Sequence, residues 1–253
     1  MISNYSHSNL LKKLHNVAAK KEAEFVSTFA RGTEWTATGA VTPSPEGRLA
    51  KPTPQPPRLL VVTGGHDYPT SFYTVFEGAD DLHWTHAVSN HEAFKSDLPK
   101  EYEVLVLYDL SSEITDSEKS NLKNFVESGK GVVVLHHAIA DYPTWEWWYK
   151  EVVGGKYLPK PEGNVPASTY KHDEELCVRP VVSHPILSRV GSMHLYDETY
   201  KVRWISPEVK VLLKTDNATS DGPVAWVSIP SHASSTSSLG MEKRRTCTRL
   251  TEL

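Results

Sequence analysis

The chain is short of cysteine. Only Cys177 and Cys247 are present in 253 residues, so neither a disulfide framework nor a cysteine-rich metal site can be built from it. It has no apolar run approaching the ~20 residues that span a bilayer, so no membrane association is expected. Lys12 and Lys13 are not followed by the apolar stretch of a secretory signal. Positive charge is not in excess either: the formal net charge is -4 and the pI near 6.3, which argues against a nucleic-acid partner. The dinucleotide fingerprint G-x-G-x-x-G is missing. These absences leave a cytoplasmic protein, long enough for one sizeable domain, with a small molecule as its partner. Nothing in the sequence specifies an oligomeric state.

What is present centres on the stretch from Gly129 to Ala138. Four apolar residues, Val132 to Leu135, are followed by His136 and His137. A short, wholly apolar run of mostly β-branched residues reads as a parallel strand buried on both faces. In such sheets ligands bind beyond the carboxyl ends of the strands, which is where the two histidines fall. A lone histidine there is more often structural; the pair makes a functional site as good a reading.

Residues 1–57 differ from the rest. Asn9 to Glu24 fits a polar helix, and Lys51 to Pro57 is a stiff, proline-rich linker. This segment is expected to be an appendage, mostly disordered. The domain opens at Arg58 with a buried strand, Leu59 to Thr63, followed by Gly64-Gly65-His66-Asp67. Tyr68 to Gly78 reads as a helix. Asp81 to Val88 reads as a second strand, with Leu82, Trp84 and Val88 inward. Tyr102 to Tyr108 is a third strand, ending in Tyr108-Asp109. Thr115 and Glu118 have the spacing of a capping box, opening a helix that turns Leu122, Phe125 and Val126 inward and stops at Gly129. Strand and helix alternate, which specifies a parallel sheet with right-handed crossovers. Trp145, Trp148 and Tyr149 then share a helical face, read first as packing and second as an aromatic wall for a sugar ring. Further strands are expected over 172–182, 193–200, 209–213 and 223–228.

Taken together, Val61 to Asp67, Val104 to Asp109, Phe125 to Ala138, Val153-Gly154-Gly155, Ser183-His184-Pro185, Tyr196-Asp197-Glu198-Thr199-Tyr200 and Val211 to Val227 resemble the trehalose-utilisation (ThuA-like) family of the class I glutamine amidotransferase-like superfamily. The resemblance runs in order over residues 58–228. It implies an α/β fold, a flavodoxin-like three-layer sandwich with a mainly parallel central sheet, and a link to trehalose or related disaccharide metabolism. Amidotransferases of this superfamily place a nucleophilic cysteine at the elbow where this chain has His136. A thiol mechanism needs a thiolate held against a base, and no thiol is near, so the chain is not expected to be a glutaminase.

The expected site follows from both readings. His136, His137 and Glu198 are the candidate catalytic groups, since imidazole exchanges protons near neutral pH. Glu198 or Asp109 would orient the base. Gly64, Gly65, His66, Asp67, Tyr108 and Asp109 are the candidate ligand-binding residues, with the glycines letting backbone amides approach a carbohydrate. Two uses of such a cleft stay open: a carbohydrate-modifying enzyme, and a non-catalytic sugar-binding or regulatory domain. A metal held by His66, His136, His137 and a carboxylate ranks below both, since no spacing such as H-x-x-x-H supports it. Neither a metal nor another cofactor is expected.

From Ile229 the sequence loses its periodicity and becomes Ser/Thr-rich, then basic. Back-translated and read two bases later, Ser231 to Leu253 permits SRVVYIQLGHGKEAYLHPAYRA, which resembles the family's apolar strand, Leu-Gly-His and terminal helix. Residues 229–253 are therefore expected to be an aberrant, frameshifted tail. The C-terminal strand and helix would be missing and the neighbouring sheet edge exposed.

Overall fold

The computed structural model describes residues 23–41, 56–76, 82–111, 113–228 and 247–250. The uninterrupted apolar runs form its centre. β1 (Arg58–Gly64), β2 (His83–Ala87), β3 (Val104–Asp109) and β4 (Gly131–Leu135) lie in the spatial order β2-β1-β3-β4, all parallel. Leu59 stands opposite Val104, and Val104 opposite Gly131. Because side chains alternate across a strand, Val61, Val106 and Val133 enter one core layer while Val62, Leu107 and Val134 enter the other.

Each layer is closed by helical segments. On one face lie α1 (Ala23–Thr38) and a 3₁₀ segment, Thr70–Phe76, whose Phe29, Phe72 and Phe76 share a cluster. On the other lie two one-turn helices, α2 (Asn90–Ala93) and α3 (Leu98–Glu101), then α4 (Asp116–Glu127) and a π-helical segment, Trp148–Val153. α4 starts where expected. Thr115 accepts from the Glu118 amide at 3.3 Å and Glu118 accepts from the Thr115 amide at 2.8 Å, closing a reciprocal capping box. Together the layers make a flavodoxin-like three-layer sandwich.

The sheet continues through antiparallel strands. β5 (Gly155–Lys156) pairs with β8 (Trp204–Ile205) in a small separate sheet. β6 (Thr169–Pro180), β7 (Met193–Lys201), β9 (Lys210–Thr215) and β10 (Pro223–Ser228) extend the main one. β11 (Cys247–Leu250) joins the halves, parallel to β4 and antiparallel to β10, giving the order β2-β1-β3-β4-β11-β10-β9-β6-β7.

Several expectations change. Residues 1–57 are not an appendage throughout: over 23–38 the chain is a helix, with Phe29 wholly buried and Thr28, Thr33 and Thr36 facing inward. It lies so close to β4 that a Cβ on Gly131 would stand 2.5 Å from the Thr36 methyl and 2.7 Å from its carbonyl oxygen. Most of the helix expected over 9–24, and the linker at 51–55, lie outside the described residues. The helix expected after β1 is a 3₁₀ segment. β2 is an edge strand that buries only Ala87, and Trp84 and Val88 are 37% and 63% exposed; an edge strand has no second neighbour to cover it. The tail does not leave β4 bare. Backbone N–H and C=O groups along β4 and β10 offer pairing to any extended segment, and Cys247–Leu250 takes it. Residues 229–246 and 251–253 lie outside the described residues. The tryptophan run is packing material, with Trp148 wholly buried and Trp145 packed against the same cluster.

Two stability outcomes are expected. Phe29→Ala should cost about 3–5 kcal/mol, as burial of a core phenylalanine implies, measured by urea unfolding; a loss below ~1 kcal/mol would mean α1 does not belong to the core. Exchanging residues 231–253 for the shifted-frame ending should raise the melting temperature, and an unchanged or lower value counts against the frameshift.

Candidate functional site

The carboxyl ends of β1, β3 and β4 meet at one edge of the sheet. β4 ends at Leu135, and the chain turns at once into a 3₁₀ segment, His136–Ala140. His136 makes that turn with φ 47°, a left-handed conformation that costs a non-glycine residue roughly 1–3 kcal/mol. Its ring is nearly buried, 7% exposed.

Six further residues gather around it. The His137 ring lies 3.9 Å from that of His136, centre to centre, and the His66 ring lies 4.5 Å from that of His137. Tyr108 stands 5.4 Å from His66 and 6.2 Å from His136. From β7 comes Glu198, with Oε2 3.9 Å from His136 Nε2. Period-two alternation puts Tyr200 on the same face as Glu198. Its hydroxyl donates to Glu198 Oε2 at 2.7 Å and lies 3.5 Å from His136 Nδ1. His172 Nδ1 contacts Glu198 Oε1 at 2.5 Å. Burial, reinforced by the negative charges of Asp197 and Glu198, pushes the Tyr108 phenol up, so it stays protonated and can donate. The cluster thus combines imidazole nitrogens, a carboxylate held by two partners, and a phenol.

Asp109 goes elsewhere. Neighbouring residues on β3 point to opposite faces, so Tyr108 joins the histidines and Asp109 enters the other layer. There it meets Asp141, both nearly fully buried. Burial pushes Asp109 up to about 7 and Asp141 well above its ordinary value, the Asp109 charge adding to the latter. Two buried carboxyls this strongly shifted do not both ionise near neutral pH, so at least one stays protonated. The Ser111 amide donates to Asp141 Oδ1 at 2.6 Å, and the Ser111 carbonyl accepts from the Tyr142 amide at 2.9 Å.

A cavity of about 590 Å³ opens on this side, lined among others by Gly64, Gly65, Asn90, Asp109 and Glu118. It lies between the ends of β1 and β3, the switch point of the parallel order. The glycines here serve backbone packing: a Cβ on Gly64 would stand 2.4 Å from the Val88 carbonyl oxygen, and one on Gly65 1.8 Å from that of Leu110.

Of the candidates from sequence, then, His66, Tyr108, His136, His137 and Glu198 come together, and Gly64, Gly65 and Asp109 line the adjoining cavity. Asp67 is exposed, and its carbonyl accepts from His66 Nδ1 at 3.0 Å. Tyr200, His172 and Asp141 were not singled out. Tyr200 was legible as the i+2 neighbour of Glu198 on a strand. His172 was not, because it sits at the bulge in β6 opposite β7, where simple alternation fails. Asp141 required knowing that the chain returns beside Asp109.

A family model described as ThuA, trehalose utilisation, matches residues 58–245. Among solved structures, a ThuA-like protein from Parabacteroides merdae superposes with a TM-score of 0.59 at 13% identity, covering 77% of this chain and 78% of that one. One from Bacteroides uniformis superposes with a TM-score of 0.56 at 19% identity, covering 79% and 84%. No curated protein matches the sequence. None of the described helices is long and apolar enough to cross a membrane.

The acidic pair gives a stability signature. Its folded-state affinity for protons is raised, so its contribution is greatest below the ordinary carboxylate value of 3.8 and is lost as pH climbs through about 7. Melting temperature should therefore fall over that window, and Asp109→Asn should flatten the fall. An equal slope in wild type and variant would show that the pair does not hold the proton.

Proposed function

The chain belongs to the ThuA, trehalose-utilisation, family, and from that premise we propose that it is a carbohydrate-modifying protein whose chemistry is carried by His136, His137 and Glu198. The observation that carries the reading is the elbow. A strained, nearly buried histidine is held at the end of the central strand, facing a carboxylate that Tyr200 and His172 keep in place. Strain of this kind persists where the surroundings over-determine it, and it collects at functional sites. Imidazole nitrogens exchange protons with a ligand hydroxyl or carbonyl, and the neutral Tyr108 phenol supplies a hydrogen bond to the same group. A trehalose-type disaccharide or a keto-sugar offers such groups.

Thiol chemistry has no support at this position. Cys177 is exposed on β6, and Cys247 pairs in register with Val132, at the opposite end of β4 from His136. Glutamine hydrolysis through a nucleophilic cysteine is therefore not part of the reading.

The test is product formation from a panel of disaccharides and their keto derivatives. Turnover is expected for at least one, with His136→Ala lowering it by about 10²–10⁴-fold, the usual share of a positioned acid or base. Saturable binding without turnover would favour the non-catalytic sugar-binding domain, and neither binding nor turnover would remove both readings.

A further inference from the structure

We infer that His136, His137 and Glu198 form a site for a divalent transition-metal cation, zinc by ligand class. The inference rests on the functional reading above for its carbohydrate substrate and its three residues, but it reassigns His136 and His137 from proton exchange to ligation and supplies an electrophile. One ligand atom from each of the three lies within 4.8 Å of the others. Tetrahedral zinc with nitrogen and oxygen ligands at about 2.0–2.2 Å sets its ligands roughly 3.4 Å apart, so closure from the observed spacing requires side-chain adjustment of about 1 Å. Two imidazoles and a carboxylate with one position left open form the donor set of a catalytic zinc site.

The surroundings fit the same use. A metal-binding carboxylate is commonly oriented by groups outside the coordination sphere. Glu198 has two, the Tyr200 hydroxyl and His172. The partly buried position beside Tyr108 excludes much of the water that would compete for ligands. His66 supplies an independent observation. Its Nδ1–H donates to the Asp67 carbonyl at 3.0 Å, which fixes the tautomer and leaves the Nε2 lone pair. That Nε2 is buried and has no hydrogen-bond partner, while the ring packs edge-on against His137. An imidazole with an unused Nε2 lone pair, packed against one of the proposed ligands, is available as a base.

The roles then divide. Three residues hold the cation, and a water or sugar hydroxyl takes the open position, where coordination makes it more acidic. Its O–H bond breaks, the proton bonds to His66 Nε2, and the electron pair stays on the coordinated oxygen. His136 and His137 act as ligands, and His66 is the imidazole that moves the proton.

The full chain, stripped with a chelator and dialysed, tests this without any sugar. Titration with zinc followed by calorimetry and elemental analysis should give one bound cation per chain and a higher melting temperature. Cobalt substituted for zinc should give the visible d–d bands of a tetrahedral site. Glu198→Gln, which keeps shape and removes charge, and His137→Ala should each weaken binding at least 10-fold. The exposed His194→Ala should bind as wild type. Absence of stoichiometric binding to folded wild type, or binding unchanged by both Glu198→Gln and His137→Ala, overturns the inference. Sugar turnover by metal-free protein would remove the cation and leave the functional reading standing. Stoichiometric zinc at this site with no activity on the sugar panel would do the reverse.

Discussion

The backbone turn at His136 is the constraint on which the site depends. A buried parallel strand has to end, and the next residue has to present a side chain at the sheet edge, in a conformation most residues avoid. β4 holds one side of the turn through its pairing with β3 and β11. Ser111, in the loop after β3, holds the other, giving its amide to Asp141 and taking the Tyr142 amide on its carbonyl. Tyr142 is itself left-handed, with φ 47°. The segment from 136 to 142 is thus fixed at both ends by β3 and its loop. A strained residue clamped in this way cannot relax by local rotation.

The same alternation that builds the sandwich divides its chemistry. Tyr108 and Asp109 are adjacent in sequence and lie in different layers. The layer that receives Tyr108 also receives the histidines and Glu198, so nitrogen and carboxylate donors gather there. The other layer receives Asp109 and Asp141, and their burial favours the protonated form. Asp109 is therefore a support for the elbow and a wall of the cavity, and Glu198 is the carboxylate that faces His136. Removing one acid of the pair would disturb the elbow through Ser111, at a distance from the imidazoles.

How much of this was legible in the sequence depended on how local each feature was. Val132 to Leu135, Val104 to Leu107 and Leu59 to Val62 are apolar without interruption, and each became a central strand. The capping box is a four-residue motif and formed as spaced. α1 was missed because Ser27, Thr28, Thr33, Thr36 and Thr38 are weak helix formers, and its inward face is mostly threonine rather than leucine. Docking on β4 over Gly131 decides that helix, and neither partner announces the other. The site was legible at strand ends, where His66, Tyr108 and His136 fall by position alone. What alternation and bulges do to neighbouring residues, as at Asp109 and His172, emerged only once strands were paired.

β11 shows how the architecture tolerates a tail with little apolar pattern. Parallel strands to one side and antiparallel strands to the other leave a gap one strand wide between β4 and β10. Filling it requires an extended backbone and little else, because the ladder bonds are made by N–H and C=O groups that every residue other than proline carries. Cys247 to Leu250 meets that requirement over four residues, in register with Val132 to Leu135. Across the face of the same strands lies α1, with Thr36 packed against Gly131. The far side of β4 is thereby closed from both chain ends. His136, at the end of that strand, is held by pairing to β11 on one edge, by β3 on the other, and by α1 across the face.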